Sequence, residues 1–159
     1  MTATRRAVHP ALFRLVFAAA LAVGLTIPLA VAGTLSASAV VPAAVATRAV
    51  KMAATRHGTP YRHGATGPRA FDCSGLTRWS YAKVGKKLAR TAQGQWKRSI
   101  HIKSKNRRQG DLVFFFHGRH AYHVAIYAGH GNIWHAPRPG KKVKKVHLWT
   151  SQVRYGRVR

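Results

Sequence analysis

The chain has almost no acid. It carries two carboxylate side chains, Asp72 and Asp111, and no glutamate, against 28 lysines and arginines in 159 residues. Two isolated aspartates cannot furnish both a paired-carboxylate glycosidase and any structural ion pair. A magnesium or calcium site built from several carboxylates is excluded on the same ground. Surface salt bridges must be nearly absent, and a formal net charge of +26 makes the fold repel itself. Cysteine is equally scarce. Cys73 is alone, so the chain forms no internal disulfide and lacks the paired cysteines of structural zinc sites. Internal repeats are absent too. Catalysis, if present, runs on Cys, His, Ser or Tyr.

What is present fits one domain with an export leader. Hydrophobic residues make up 47% of the chain, enough to bury a core. Residues 1–39 read as a signal peptide: Arg5, Arg6 and Arg14 form a basic start, Leu15 to Leu35 is mostly apolar, and Ala37-Ser38-Ala39 is a small-residue cleavage site. The competing reading is a retained membrane anchor, because the apolar run is nearly long enough to span. Cleavage after Ala39 removes three of the 28 basic residues and leaves a net +23 on 120 residues. Such a surface attracts polyanions. Outside the cytosol a single thiol is buried and inert, an intermolecular link, or a nucleophile.

The mature chain divides into helices first and strands second, an α+β layout in which N-terminal helices pack on a C-terminal antiparallel sheet. Residues 40–47 read as a flexible lead, with Thr47 capping a helix over Arg48–Arg56 that ends at Gly58. A second helix spans Ser74–Val84 and stops at Gly85. A third short helix or loop follows Thr91. Apolar runs predict strands at Leu112–Phe116, His123–Ala128, Asn132–Ala136, Val143–Trp149 and Arg154–Arg159. Gly129-His130-Gly131 reads as a three-residue hairpin loop. That loop sets Ala125 opposite His135 and makes His123 a same-face diagonal neighbour, ~7–8 Å away at Cα.

This spacing singles out three residues. Cys73, at a helix start, is a nucleophile whose thiolate is the attacking species. His123 is the base that later returns its proton to the leaving amine. His135 lies behind it and fixes one tautomer of its ring. The Cys73 amide and a neighbouring hydroxyl would stabilise the oxyanion. The basic surface should lower the pKa of both the thiol and His123, giving an activity optimum that moves with ionic strength. The bland alternatives are a coincidence of a buried thiol with two strand histidines, and a Cys-His-His zinc site, which lacks the usual paired-ligand spacing.

Five segments, in order, resemble the NlpC-type cell-wall cysteine endopeptidases: Gly58-Thr59-Pro60-Tyr61, Phe71-Asp72-Cys73-Ser74-Gly75-Leu76, Gly110-Asp111-Leu112-Val113-Phe114-Phe115, His123-Val124-Ala125-Ile126-Tyr127-Ala128-Gly129 and His135-Ala136-Pro137. The resemblance covers residues 48–159. It implies a small papain-like fold and hydrolysis of amide bonds in peptidoglycan stem peptides, commonly between D-glutamate and the diamino acid. It assigns Cys73, His123 and His135 to catalysis. Tyr61, Asp72 and Ser74 fall at substrate-binding positions, where Asp72 would pair with a free stem-peptide amine. It implies no cofactor and no metal. The chain departs from the family pattern at Arg62-His63-Gly64 and at Ala89-Arg90-Thr91-Ala92.

The expected partners are peptidoglycan and, through the basic surface, anionic wall polymers. Specific nucleic acid is not among them, and a monomer is expected. Two other functions stay open: a cationic polyanion-binding protein, with Lys141, Lys142, Lys144 and Lys145 as its cluster, and an amidase or acyltransferase on the same fold.

Overall fold

The computed structural model describes residues 40–159. The leader expected over 1–39 lies outside them.

Three α-helices precede the sheet. The first, α1 (Ala43–Ala54), buries Ala46, Ala49, Val50 and Ala53, the three- and four-residue spacing of one helical face. It starts five residues earlier than the sequence predicts, and Thr47 is inside it, not at its cap. The reason is local: Pro42 stands at the N-cap with its ring fixing φ at −55°, and the alanines that follow are the best helix formers. The lead expected over 40–47 is therefore helical from Ala43 onward, with Val41 and Ala46 buried. Val41 is fully buried and its amide donates to Val158 at 3.0 Å.

The second helix, α2 (Cys73–Ala82), begins at the only cysteine. Asp72 caps it by accepting from the Gly75 amide at 2.6 Å. Gly75 is required by close approach: a Cβ there would collide with the Ala65 carbonyl oxygen. Thr91 caps α3 (Ala92–Arg98) in the same manner, accepting from Gly94 at 3.0 Å.

Six strands follow: β1 (Ile100–Ile102), β2 (Leu112–His117), β3 (His120–Gly129), β4 (Asn132–His135), β5 (Lys144–His147) and β6 (Val153–Arg157). They form one antiparallel sheet in the order β1-β6-β2-β3-β4-β5. The short β1 was not foreseen; its three residues carry too little pattern. Alternation along the strands sends Leu112, Phe114, Val124 and Ile126 to the core shared with the helices, and Val113, Phe115, Ala125 and Tyr127 to a second cluster.

Two irregularities set the site. The β3–β4 loop has two residues, His130 and Gly131, both with positive φ (50° and 72°), preceded by a bulge between Tyr127 and Gly129. The bulge adds back the residue that the tighter turn removes, so Ile126 still faces Trp134 and the predicted register holds. The second bulge opposes Phe115 to His123 and Phe116 to Ala121, leaving Tyr122 as the extra residue. Ala121 and Val124 both enter the helix-side core, so Tyr122 and His123 together fall outside it.

Candidate active site

Cys73 occupies the first turn of α2, half-buried, with its side chain against β3. Burial pushes the thiol pKa up, and the charge of Asp72 adds to that; the Val124 amide, with those of Ser74 and Cys73 itself, opposes it. The expected depression of the thiol by the basic surface is thus overturned. Those cations sit in solvent, whereas desolvation and a neighbouring carboxylate act at contact range.

His123 and His135 meet as the register requires. His123 Nε2 lies 3.2 Å from His135 Nδ1, and both residues are buried. Burial, then the neighbouring His135, pushes the His123 pKa down to about 3. Burial and then Lys144 push His135 down to about 4. Thiol and imidazoles are therefore all neutral at pH 7. With Nε2 of His123 occupied, Nδ1 is the nitrogen left to exchange a proton. No hydrogen bond between Cys73 and His123 is formed among the described residues, but both side chains line one cavity of 660 Å³, together with Tyr61, Tyr122 and His135. Among the described residues, no three His, Cys, Asp or Glu groups stand together as a metal-ligand set.

A second cavity, of 720 Å³, opens on the other side of Cys73. Tyr61, Cys73 and Tyr122 border both, so the thiol sits at the divide of a groove. Tyr61, Asp72 and Ser74 all line this second cavity. Asp72, however, is already engaged. Besides capping α2 it accepts from the Gly64 amide at 3.0 Å and the Ser74 hydroxyl at 3.2 Å, and it forms a two-pronged ion pair with Arg90. Burial raises its pKa, but Arg90 and the Gly75 amide overcome this and hold it below the ordinary carboxylate value. A substrate amine would have to compete with Arg90. Ser74 is likewise held, accepting from Arg90 at 3.0 Å.

Sequence reasoning missed Arg90, Tyr122 and Trp149. Arg90 lies 18 residues from Asp72 in a segment without periodicity. Counting acids was the one available signal for it, since a buried aspartate needs a cation. Tyr122 is placed by a bulge, and Trp149, expected at the end of a strand over Val143–Trp149, lies beyond β5, which stops at His147.

A thiol opening a helix, facing a buried imidazole pair across a groove on an antiparallel sheet, defines a papain-like α+β domain. The NlpC/P60 family model matches residues 58–158, and the chain belongs to that family. It is 49% identical over 96 residues to a Corynebacterium glutamicum protein named "Probable endopeptidase", covering 60% of this chain and 45% of that protein. It is 38% identical over 117 residues to the bifunctional muramidase/DL-endopeptidase CwlT of Bacillus subtilis, covering 69% and 36%. The solved NlpC/p60 domain of the peptidoglycan hydrolase SagA superposes with a TM-score of 0.66 at 33% identity, covering 72% of this chain and 98% of that domain. The chain spans less than half the length of these two curated relatives.

Proposed function

We propose that this protein is an exported cysteine endopeptidase that hydrolyses amide bonds in peptidoglycan stem peptides, at the bond between D-glutamate and the diamino acid. The observation that carries this reading is the pairing of His123 with His135 in the cavity that Cys73 lines. Family membership and relatives named as endopeptidases support it.

Because thiol and imidazole rest neutral, Cys73 Sγ gives its proton to His123 Nδ1 as it attacks the carbonyl carbon. His135 steadies the imidazolium through Nε2 of His123. The Cys73 amide and the Tyr61 hydroxyl, both at the divide of the groove, face the developing oxyanion. His123 then protonates the leaving amine, and water releases the acyl group from sulfur. The leader over 1–39 takes the chain across the membrane and is removed after Ala39. The +23 mature surface holds the enzyme on anionic wall polymers.

The test is incubation of residues 40–159 with purified wall fragments and measurement of product masses. Cleavage should yield a new amine on the diamino acid, and Cys73→Ala should lower the rate by at least ~10³-fold. Equal lysis by Cys73→Ala would sink the enzyme reading in favour of a cationic binding protein. Products extended by an added amine, not water, would point to acyl transfer.

A further inference from the structure

Trp149 is one of only two large aromatic side chains that stay exposed among the described residues, 59% accessible; the other is Tyr122. Both line the cavity that holds the histidine pair. Exposure of an indole sacrifices burial of the largest apolar side chain available, so its seat needs a reason.

The seat is a closed square of four rings. Phe115 and Trp149 stack at 4.9 Å and 15°. Trp149 and His135 lie 5.4 Å apart at 42°. His135 and His123 are 5.4 Å apart, and His123 returns to Phe115 at 5.2 Å. Four neighbouring strand paths, β2, β3, β4 and the chain leaving β5, each supply one ring.

The square has a consequence for proton placement. For His123 to receive a proton at Nδ1, its own proton must be on Nε2, donated to His135 Nδ1. His135 must then carry its proton on Nε2, and that atom is buried without a hydrogen-bond partner. In the opposite arrangement His135 donates from Nδ1, and His123 Nδ1 already bears a proton and accepts none from Cys73. The productive arrangement thus leaves a buried N–H donor on the His135 ring, whose aromatic neighbour is the Trp149 indole, 5.4 Å away between ring centroids. An aromatic face takes such a donor at lower cost than an aliphatic wall does, and it excludes water that would scramble the pair.

We propose that Trp149 is a positioning residue for the histidine pair: its indole closes the ring square and selects the tautomer in which His123 Nδ1 is free to take the proton of Cys73. The proposal rests on the endopeptidase reading for its kinetic arm only. The test compares Trp149→Phe, Trp149→Leu and Trp149→Ala in the full chain. It uses histidine nitrogen NMR for the tautomers and stem-peptide hydrolysis for kcat and KM.

The wild type should carry both protons on Nε2. Trp149→Phe should keep that state and most of kcat. Trp149→Leu preserves bulk but not the aromatic face; it should shift His135 to the Nδ1-protonated form and lower kcat about tenfold, with KM within about twofold. Trp149→Ala, which admits water, should lower kcat about a hundredfold. If Trp149→Leu leaves either the tautomer or kcat unmoved, the proposal is overturned. Should the wild type cleave no wall peptide, the endopeptidase reading fails, and the tautomer spectrum of Trp149→Leu alone decides the proposal. Because Phe and Leu keep the seat filled, a misfolded alanine variant leaves the decision intact.

Discussion

Both aspartates of this chain are tied to arginines, yet they do different work. Asp111 opens β2 and is 2% exposed. It accepts from Arg157 Nε and Nη2, each at 2.9 Å, and from the Arg108 amide at 2.7 Å. Those bonds fasten β2 to β6 inside the sheet. Asp72 is nearly as buried, but its arginine stands at the rim: the Arg90 side chain is 38% accessible and the Arg157 side chain 20%. Asp72 uses one oxygen to start the helix that bears Cys73 and both to hold Arg90 on the groove wall. One pair closes a fold; the other shapes a site. With both acids spent internally, every other lysine and arginine among the described residues lacks a carboxylate side-chain partner, which leaves the surface strongly positive.

Truncation separates the two aspartates most widely. Asp111→Ala strands Arg157 against the sheet and should cost about 3–5 kcal/mol, the usual result of removing one member of a buried pair. Asp72→Ala removes a helix cap and an ion pair whose cation water can reach, and should cost about 1–2 kcal/mol. Urea unfolding midpoints measure the difference. Equal losses would mean that the two pairs are energetically alike and that the site pair also carries the fold.

The sequence made the acids countable but not assignable. Helix-before-strand order and five of the six strands were legible because each is a local pattern, whereas the caps Asp72 and Thr91 emerged only in the structure. The same-face placement of His123 and His135 was legible through period two, although the loop was shorter than read and a bulge at Ala128 made up the difference. What the sequence hid is what tertiary contact decides. Arg90 reaches Asp72 across 18 residues. The Tyr122 bulge leaves no local signature. Whether the thiol titrates low or high depends on its burial, and net charge does not report that. The early start of α1 was missed because a polar residue at position 47 outweighed the Pro42 and alanine signal that precedes it.

Acid titration sharpens the contrast between fold and site. His123 and His135 have pKa values of about 3 and about 4 in the folded chain, against 6.5 for an ordinary imidazole. Their folded values are depressed, so below pH 6.5 the unfolded chain binds the extra protons. Stability then falls with falling pH. At pH 5 the loss is about 2 kcal/mol for each histidine. Asp72 contributes only lower down, since its depressed folded pKa keeps its stabilisation until pH drops through the ordinary carboxylate range. The double variant His123→Asn with His135→Asn should flatten the decline between pH 6.5 and 4.5, while Asp72→Asn should flatten it only below about pH 4. Thermal melts across that range separate the two. A wild-type melting temperature constant from pH 7 to 4.5 would contradict the depressed histidine values.

The smallest effect falls at the thiol itself, and it isolates what Asp72 does electrostatically. Burial is the larger cause of the raised Cys73 pKa, and the Asp72 charge adds to it. Asp72→Asn keeps an oxygen to cap α2, removes that charge and frees Arg90, whose cation then acts on the groove unopposed. Both changes favour the thiolate. Alkylation by iodoacetamide at pH 7.5, which follows the thiolate fraction, should therefore accelerate by about threefold. Asp111→Asn, whose carboxylate faces β6 and not the groove, should leave the rate unchanged. A slower reaction in Asp72→Asn would show that the aspartate serves Cys73 mainly by ordering the first turn of α2. The positive helix end would then be the larger influence on the sulfur.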